Sequence, residues 1–149
     1  MSRFVRPETR VLTLGNGDTL VVKDCLTAGE QRAAYARMYL AGVNGNLSIH
    51  PLQVGLAQMT AYLVDWSLTD DEGRPVVIRE VSADRLVEVL ESLDPESFSE
   101  IRDAIDAHEQ ARALARAEEK KTIRTGVIES PQTSPSLVVV TGDRAGSVN

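Results

Sequence analysis

Two short runs rich in Val, Leu and Thr, Thr9–Leu14 and Thr19–Lys23, flank Gly15-Asn16-Gly17-Asp18. Asn-Gly tolerates the positive φ of a tight turn, so this pattern predicts an antiparallel β-hairpin. Leu12 and Leu14 alternate with Val11 and Thr13, as in a strand with one buried face. A two-stranded hairpin is marginal by itself in water. It must therefore pack against the rest of the chain, most of which reads as helix.

Thr27-Ala28-Gly29-Glu30 fits a capping box. There a hydroxyl and a carboxylate satisfy backbone N–H groups that a helix start leaves open. A first helix is expected from this point toward Gly42, and Gly42–Ser48, with two glycines and two asparagines, reads as a soft loop. Pro51 suits the first turn of a second helix. Leu52, Leu56, Met59, Leu63 and Trp66 recur at spacings of three or four and mark its apolar face, widened by Val54 and Tyr62. Thr69–Gly73 turns the chain, and Arg74–Ile78 reads as a short extended edge segment, since it contains proline. Ser82 caps a third helix over Ala83–Ser92, and Asp94-Pro95 opens a fourth, with Phe98, Ile101, Ile105 and His108 along one stripe.

From Glu109 to Lys121 the sequence is rich in Ala, Arg, Glu and Lys, with Leu114 its one large apolar residue. Such a stretch has high helix propensity and little to bury. Beyond Thr122 the segment Ser130–Ser136 has linker chemistry, and Leu137-Val138-Val139-Val140 is a short apolar run. That run reads as a sticky patch in a disordered tail or as a strand offered to a partner's sheet. The expected fold is mainly α: a small domain of about four helices, with an N-terminal β-hairpin and a flexible C-terminal tail. Residues 1–121 form the hairpin and helical domain, and 122–149 the tail.

Sixteen basic and twenty-two acidic side chains give a net charge of −6 over 149 residues. That sign repels phosphate backbones and anionic lipid, which argues against nucleic-acid or membrane partners. The single cysteine, Cys25, has no internal disulfide partner and fits a reducing cytosol. With His50 and His108 the only histidines, no CxxC or HxxxH spacing exists and no metal or cofactor site is expected. Asp70-Asp71-Glu72-Gly73 lacks the alternating ligands of a calcium loop. Asp65 beside Asp70 or Asp71 reads as ordinary capping, and no catalytic constellation is evident. Trp66, the only tryptophan, is either a core anchor or an exposed hot spot.

Three stretches carry a resemblance: "LTLGNGDTLVVKDCLTAGE" (Leu12–Glu30), "AYLVDWSLTDDEGRPVVI" (Ala61–Ile78) and "LDPESFSEIRDAIDAHEQ" (Leu93–Gln110), the last leading into a charged extension. Their order resembles the tail assembly chaperones of long-tailed, siphovirus-like bacteriophages, over about Val11–Lys121. The resemblance implies a helical protein of the host cytoplasm that coats the tape-measure protein, recruits tail-tube subunits and is absent from the finished virion. A structural tail or neck component of the virion is the alternative.

A chaperone for a long apolar helix needs a groove of aliphatic and aromatic side chains. The stripes on the second and fourth helices either form such a groove or bury one another. If a groove is exposed, Met59, Tyr62 and Trp66 are the expected lining, with Leu114 on the extension as a second contact and a homo-oligomer possible.

Overall fold

The computed structural model describes residues 2–42 and 44–129. The expected apolar run 137–140 lies outside them. Among the described residues the order is β1 (Thr9–Thr13), β2 (Thr19–Lys23), α1 (Ala28–Met38), β3 (Tyr39–Ala41), β4 (Leu47–Ile49), α2 (Pro51–Tyr62), β5 (Leu63–Trp66), α3 (Ala83–Glu91) and α4 (Pro95–Glu129). The four expected helices and the N-terminal hairpin are present. The class is mixed α/β rather than mainly α, because 17% of the described residues are strand against 52% helix.

The hairpin forms where its turn chemistry places it. Leu14 N–H donates to the Asp18 carbonyl at 2.8 Å and Gly17 adopts φ +95°, a conformation that favours glycine. β1 and β2 pair antiparallel from Thr9↔Lys23 to Thr13↔Thr19. β2 is the centre of a three-stranded sheet ordered β1-β2-β5.

β5 corrects the expected length of the second helix. Leu63 and Trp66, three apart, continue the helical spacing, yet α2 stops at Tyr62. Against β2 the register runs Leu20↔Trp66, Val21↔Asp65 and Val22↔Leu63, with an irregularity between Val21 and Val22. That bulge absorbs Val64, so two residues three apart both oppose the buried Leu20 and Val22. A helical period and a bulged strand look alike here.

The expected loop at Gly42–Ser48 is also partly strand. α1 ends at Met38, and Tyr39–Ala41 pairs antiparallel with Leu47–Ile49. Gly42 N–H donates to the Asn46 carbonyl at 2.8 Å, and Gly45 takes φ +75°. Asn44-Gly45 thus repeats the turn chemistry of Asn16-Gly17. The expected edge segment at Arg74–Ile78 is reduced to one bridge, Thr69↔Pro75.

Helix starts reflect the local chemistry. In the capping box, Glu30 N–H donates to Thr27 Oγ1 at 3.2 Å while Thr27 N–H donates to Glu30 Oε2 at 2.8 Å. Leu52 N–H donates to His50 Nδ1, Arg85 N–H to Ser82 Oγ, and Ser97 N–H to Asp94 Oδ1.

The chain divides into two units, 1–112 and 113–149, with the boundary inside α4. The first contains one core, built from Leu14, Leu20 and Val22 of the hairpin region, Leu56, Met59 and Tyr62 of α2, Leu63 and Trp66 of β5, and Leu86, Leu90, Ile101 and Ile105 of α3 and α4. In the second unit the described residues are helical through Glu129, past the expected start of the tail at 122. Their large apolar side chains Leu114 and Ile123 are exposed. No helix among the described residues is long and apolar enough to cross a membrane.

Candidate functional site: an open apolar groove

The 27 residues from Met38 to Val64 contain no Asp, Glu, Lys or Arg. They run from the last residue of α1 through β3, β4 and α2 to the first residues of β5. Such a run is compatible with burial, since it contains none of the side chains that are almost never fully buried. Here only part of it is covered. Tyr39, Leu40, Leu47, Ile49 and Leu52 are all exposed, Leu47 at 68% and Leu52 at 62%.

The β3–β4 register explains how this exposed set is arranged. Tyr39 opposes Ile49, so these two share one face of the hairpin, and Leu47, two residues along, lies on that face as well. Leu40 opposes Ser48 and belongs to the other face. Leu40 lines a cleft of about 520 Å³ together with His50, Leu52, Gln53 and Leu56 of the α2 end, Leu90, Glu91 and Leu93 at the end of α3, and Pro95, Phe98, Ser99 and Arg102 of α4. The α4 residues keep the i, i+3, i+4, i+7 spacing of one helix face. The volume falls within the roughly 300–1,000 Å³ of clefts that hold small ligands or anchoring side chains. Most of the lining is aliphatic or aromatic.

Gly55 marks a close approach of α2 to Arg102 of α4. A Cβ built at Gly55 would lie 2.8 Å from Arg102 Cδ, so the missing side chain lets the Arg102 stem lie against α2. Arg102 Nη2 in turn reaches Asp103 Oδ1 at 3.1 Å.

The residues expected to line an exposed groove divide sharply. Met59, Tyr62 and Trp66 are core residues at 0%, 6% and 8% exposure. Met59 and Tyr62 of α2 and Trp66 of β5 share the core with Leu20 and Val22 of β2. The physical reason lies in Trp66: its Nε1 donates to the Val76 carbonyl at 2.7 Å, which holds the segment after the turn over the indole. Tyr62 packs edge-on against His108, with ring centroids 5.8 Å apart, and its hydroxyl donates to Glu109 Oε1 at 3.3 Å. Leu114 is exposed, as expected, but lies in the second unit. The groove therefore lies at the N-terminal end of α2, where Leu52 and Leu56 of the periodic stripe line it, and not beside Met59, Tyr62 and Trp66. The signal that finds it is the charge-free run.

A polar cluster lies at the end of β2. Asp24, 7% exposed, accepts from Arg10 Nε at 2.5 Å, and Arg112 Nη2 lies 3.1 Å from its other oxygen. Burial pushes the Asp24 carboxyl up, but the Arg10 hydrogen bond and the charges of Arg112, Arg10 and His108 outweigh it, leaving it below its ordinary value of 3.8. His108 Nε2 donates to the Lys23 and Asp24 carbonyls at 3.1 and 3.2 Å. Cys25 Sγ, half-buried, accepts from Arg112 Nη2 at 3.6 Å. These contacts tie α4 to the end of β2, and the end of β2 to β1. Asp65 pairs with Arg79 and Asp70 with Arg74, so those carboxylates hold turns together. Among the described residues no three His, Cys, Asp or Glu side chains are grouped to hold a metal ion.

Comparison with protein-family models, curated proteins and solved structures found no match to this chain.

Proposed function

We propose that this protein is an assembly chaperone that binds another polypeptide through the apolar groove. Its client, on the resemblance of Leu12–Glu30, Ala61–Ile78 and Leu93–Gln110 to phage tail assembly chaperones, is the tape-measure protein, with tail-tube subunits recruited in turn and the host cytoplasm as the place of action. One observation carries this reading: a charge-free stretch of chain leaves Leu40 and Leu52 exposed on the lining of an open cleft, with Tyr39, Leu47 and Ile49 exposed on the other face of the β3–β4 hairpin. Exposed apolar side chains on a cleft wall favour association, because joining them to a second apolar surface removes both from water. A helical client presents such a surface as a stripe. The net charge of −6 supports solubility of the resulting complex.

Co-expression with the cognate tape-measure protein tests the proposal. The client's soluble yield should rise, and the two should elute together on size-exclusion chromatography. Leu52→Asp should remove both effects while leaving this protein folded. No change in yield together with no complex would refute the chaperone reading. Stoichiometric presence of the chain in purified particles would replace it with a permanent tail or neck component.

A further inference from the structure

We infer that the groove selects an amphipathic helix whose apolar stripe is flanked by Lys or Arg, and that Glu91 is the rim carboxylate that makes the selection. This inference rests on the groove being a protein-docking site.

The two walls of the groove differ in charge. One comes from the uncharged stretch 38–64, the other from the end of α3 and the start of α4. The segment 83–112 that supplies the second wall carries nine acidic side chains against three basic ones. Each of the three arginines already has a carboxylate: Arg85 pairs with Glu88, Arg102 with Asp103 and Arg112 with Asp24. From outside the segment, Arg37 meets Asp84. Of these charged side chains only Glu91 and Arg102 line the groove itself. Glu91 is exposed, lines the groove, and has no ion pair or hydrogen bond among the described residues. A ligand helix that brings an ammonium or guanidinium to this rim gains an attraction, and one that brings a carboxylate meets repulsion. The basic group that also lines the groove, Arg102, is committed to Asp103 and leaves the preference to Glu91.

The lining also favours a helix over an extended segment. Its walls are mostly side chains from α2, α3 and α4, whose backbone groups are already bonded within those helices. An extended peptide finds almost no backbone partners there, whereas a helix arrives with its own satisfied. Apolar anchors at i, i+4 and i+7 then fill the cleft.

Two labelled synthetic helical peptides with the same leucine stripe, one flanked by lysines and one by glutamates, test this against the full-length protein by fluorescence anisotropy. The lysine peptide should bind about five- to tenfold more tightly, a preference the size of one or two rim charge contacts. Raising salt should shrink the difference, because exposed charges are screened over about 8 Å at physiological ionic strength. Glu91→Lys should reverse the preference with an unchanged thermal melt, and Leu52→Asp should abolish binding of both peptides. Equal binding of both, unaltered by Glu91→Lys, would overturn the charge selection and leave the docking site standing. Failure of both peptides to bind would overturn the docking site as well. A concentration-dependent dimer of the protein alone, dissociated by Leu52→Asp, would identify a second copy as the occupant and overturn the inference.

Discussion

Arg112 Nη2 lies 3.1 Å from Asp24 Oδ2, so α4 is bound to the end of β2 by an ion pair with 10% of the aspartate side chain exposed. The other Asp24 oxygen accepts from Arg10 on β1. One carboxylate thus joins the hairpin to the last helix of the core. Asp24→Asn removes the charge both guanidiniums face. It should cost about 2 kcal/mol at neutral pH, less than a fully buried pair because Arg10 is largely exposed.

The same carboxyl dictates a pH dependence. Its folded-state pKa is lowered, so its stabilisation is fully present above the ordinary value of 3.8 and is lost as pH falls through the lower folded value. The stability gap between wild type and Asp24→Asn should be constant near neutrality and close below about pH 4. Chemical denaturation across pH measures it. A gap that persists undiminished to about pH 2 would contradict this arrangement.

Trp66 should report a buried indole. At 8% exposure, with Nε1 bonded to the Val76 carbonyl, its fluorescence should be blue-shifted and poorly quenched by acrylamide. Trp66→Phe leaves that carbonyl without its donor and should cost about 1–3 kcal/mol. Client binding should leave the emission of wild type unchanged, since Trp66 on β5 does not line the groove. A large spectral change on binding would place the indole at the interface.

Leu52 and Met59, both on α2, should respond in opposite ways. Met59 is fully enclosed, so Met59→Ala should cost about 2–5 kcal/mol. Leu52 is 62% exposed, so Leu52→Asp should change stability by less than about 0.5 kcal/mol and still abolish client binding. Thermal melts beside a pull-down assay separate the two.

Gly55 offers a test of how closely α2 packs on the Arg102 stem of α4. Alanine gains up to about 1 kcal/mol in helix propensity but brings its Cβ to 2.8 Å from Arg102 Cδ. The Arg102 stem is flexible and half-buried, so Gly55→Ala should be near neutral in stability as that stem swings away. Gly55→Leu should cost about 1–3 kcal/mol, because α2 and α4 must separate. Denaturation curves of the two variants check this.

Much of the fold is legible in local chemistry. The Asn16-Gly17 turn, the Thr27–Glu30 box, Pro51, Ser82 and Asp94-Pro95 each mark an element boundary through groups within a few residues. The misreadings occur where neighbours do not decide. Leu63 and Trp66 keep a helical spacing, but β2 recruits them as a bulged strand. Tyr39–Ala41 and Leu47–Ile49 are too short for a strand pattern, and pairing with each other defines them. Burial separates Met59 from Leu52 although both belong to one helical stripe.

The sequence by itself determined where the chain turns and caps, and that residues 38–64 would present no charge. Hydrogen bonds among near neighbours need no distant partner, and composition is independent of fold. Only the tertiary structure decided which apolar residues are enclosed and which remain at the surface. That division depends on how far along the stripe of α2 the core extends, and the extent is set by side chains brought together from β2, β5, α3 and α4. The sequence supplied more apolar surface than one core can cover, and packing left the remainder beside the groove.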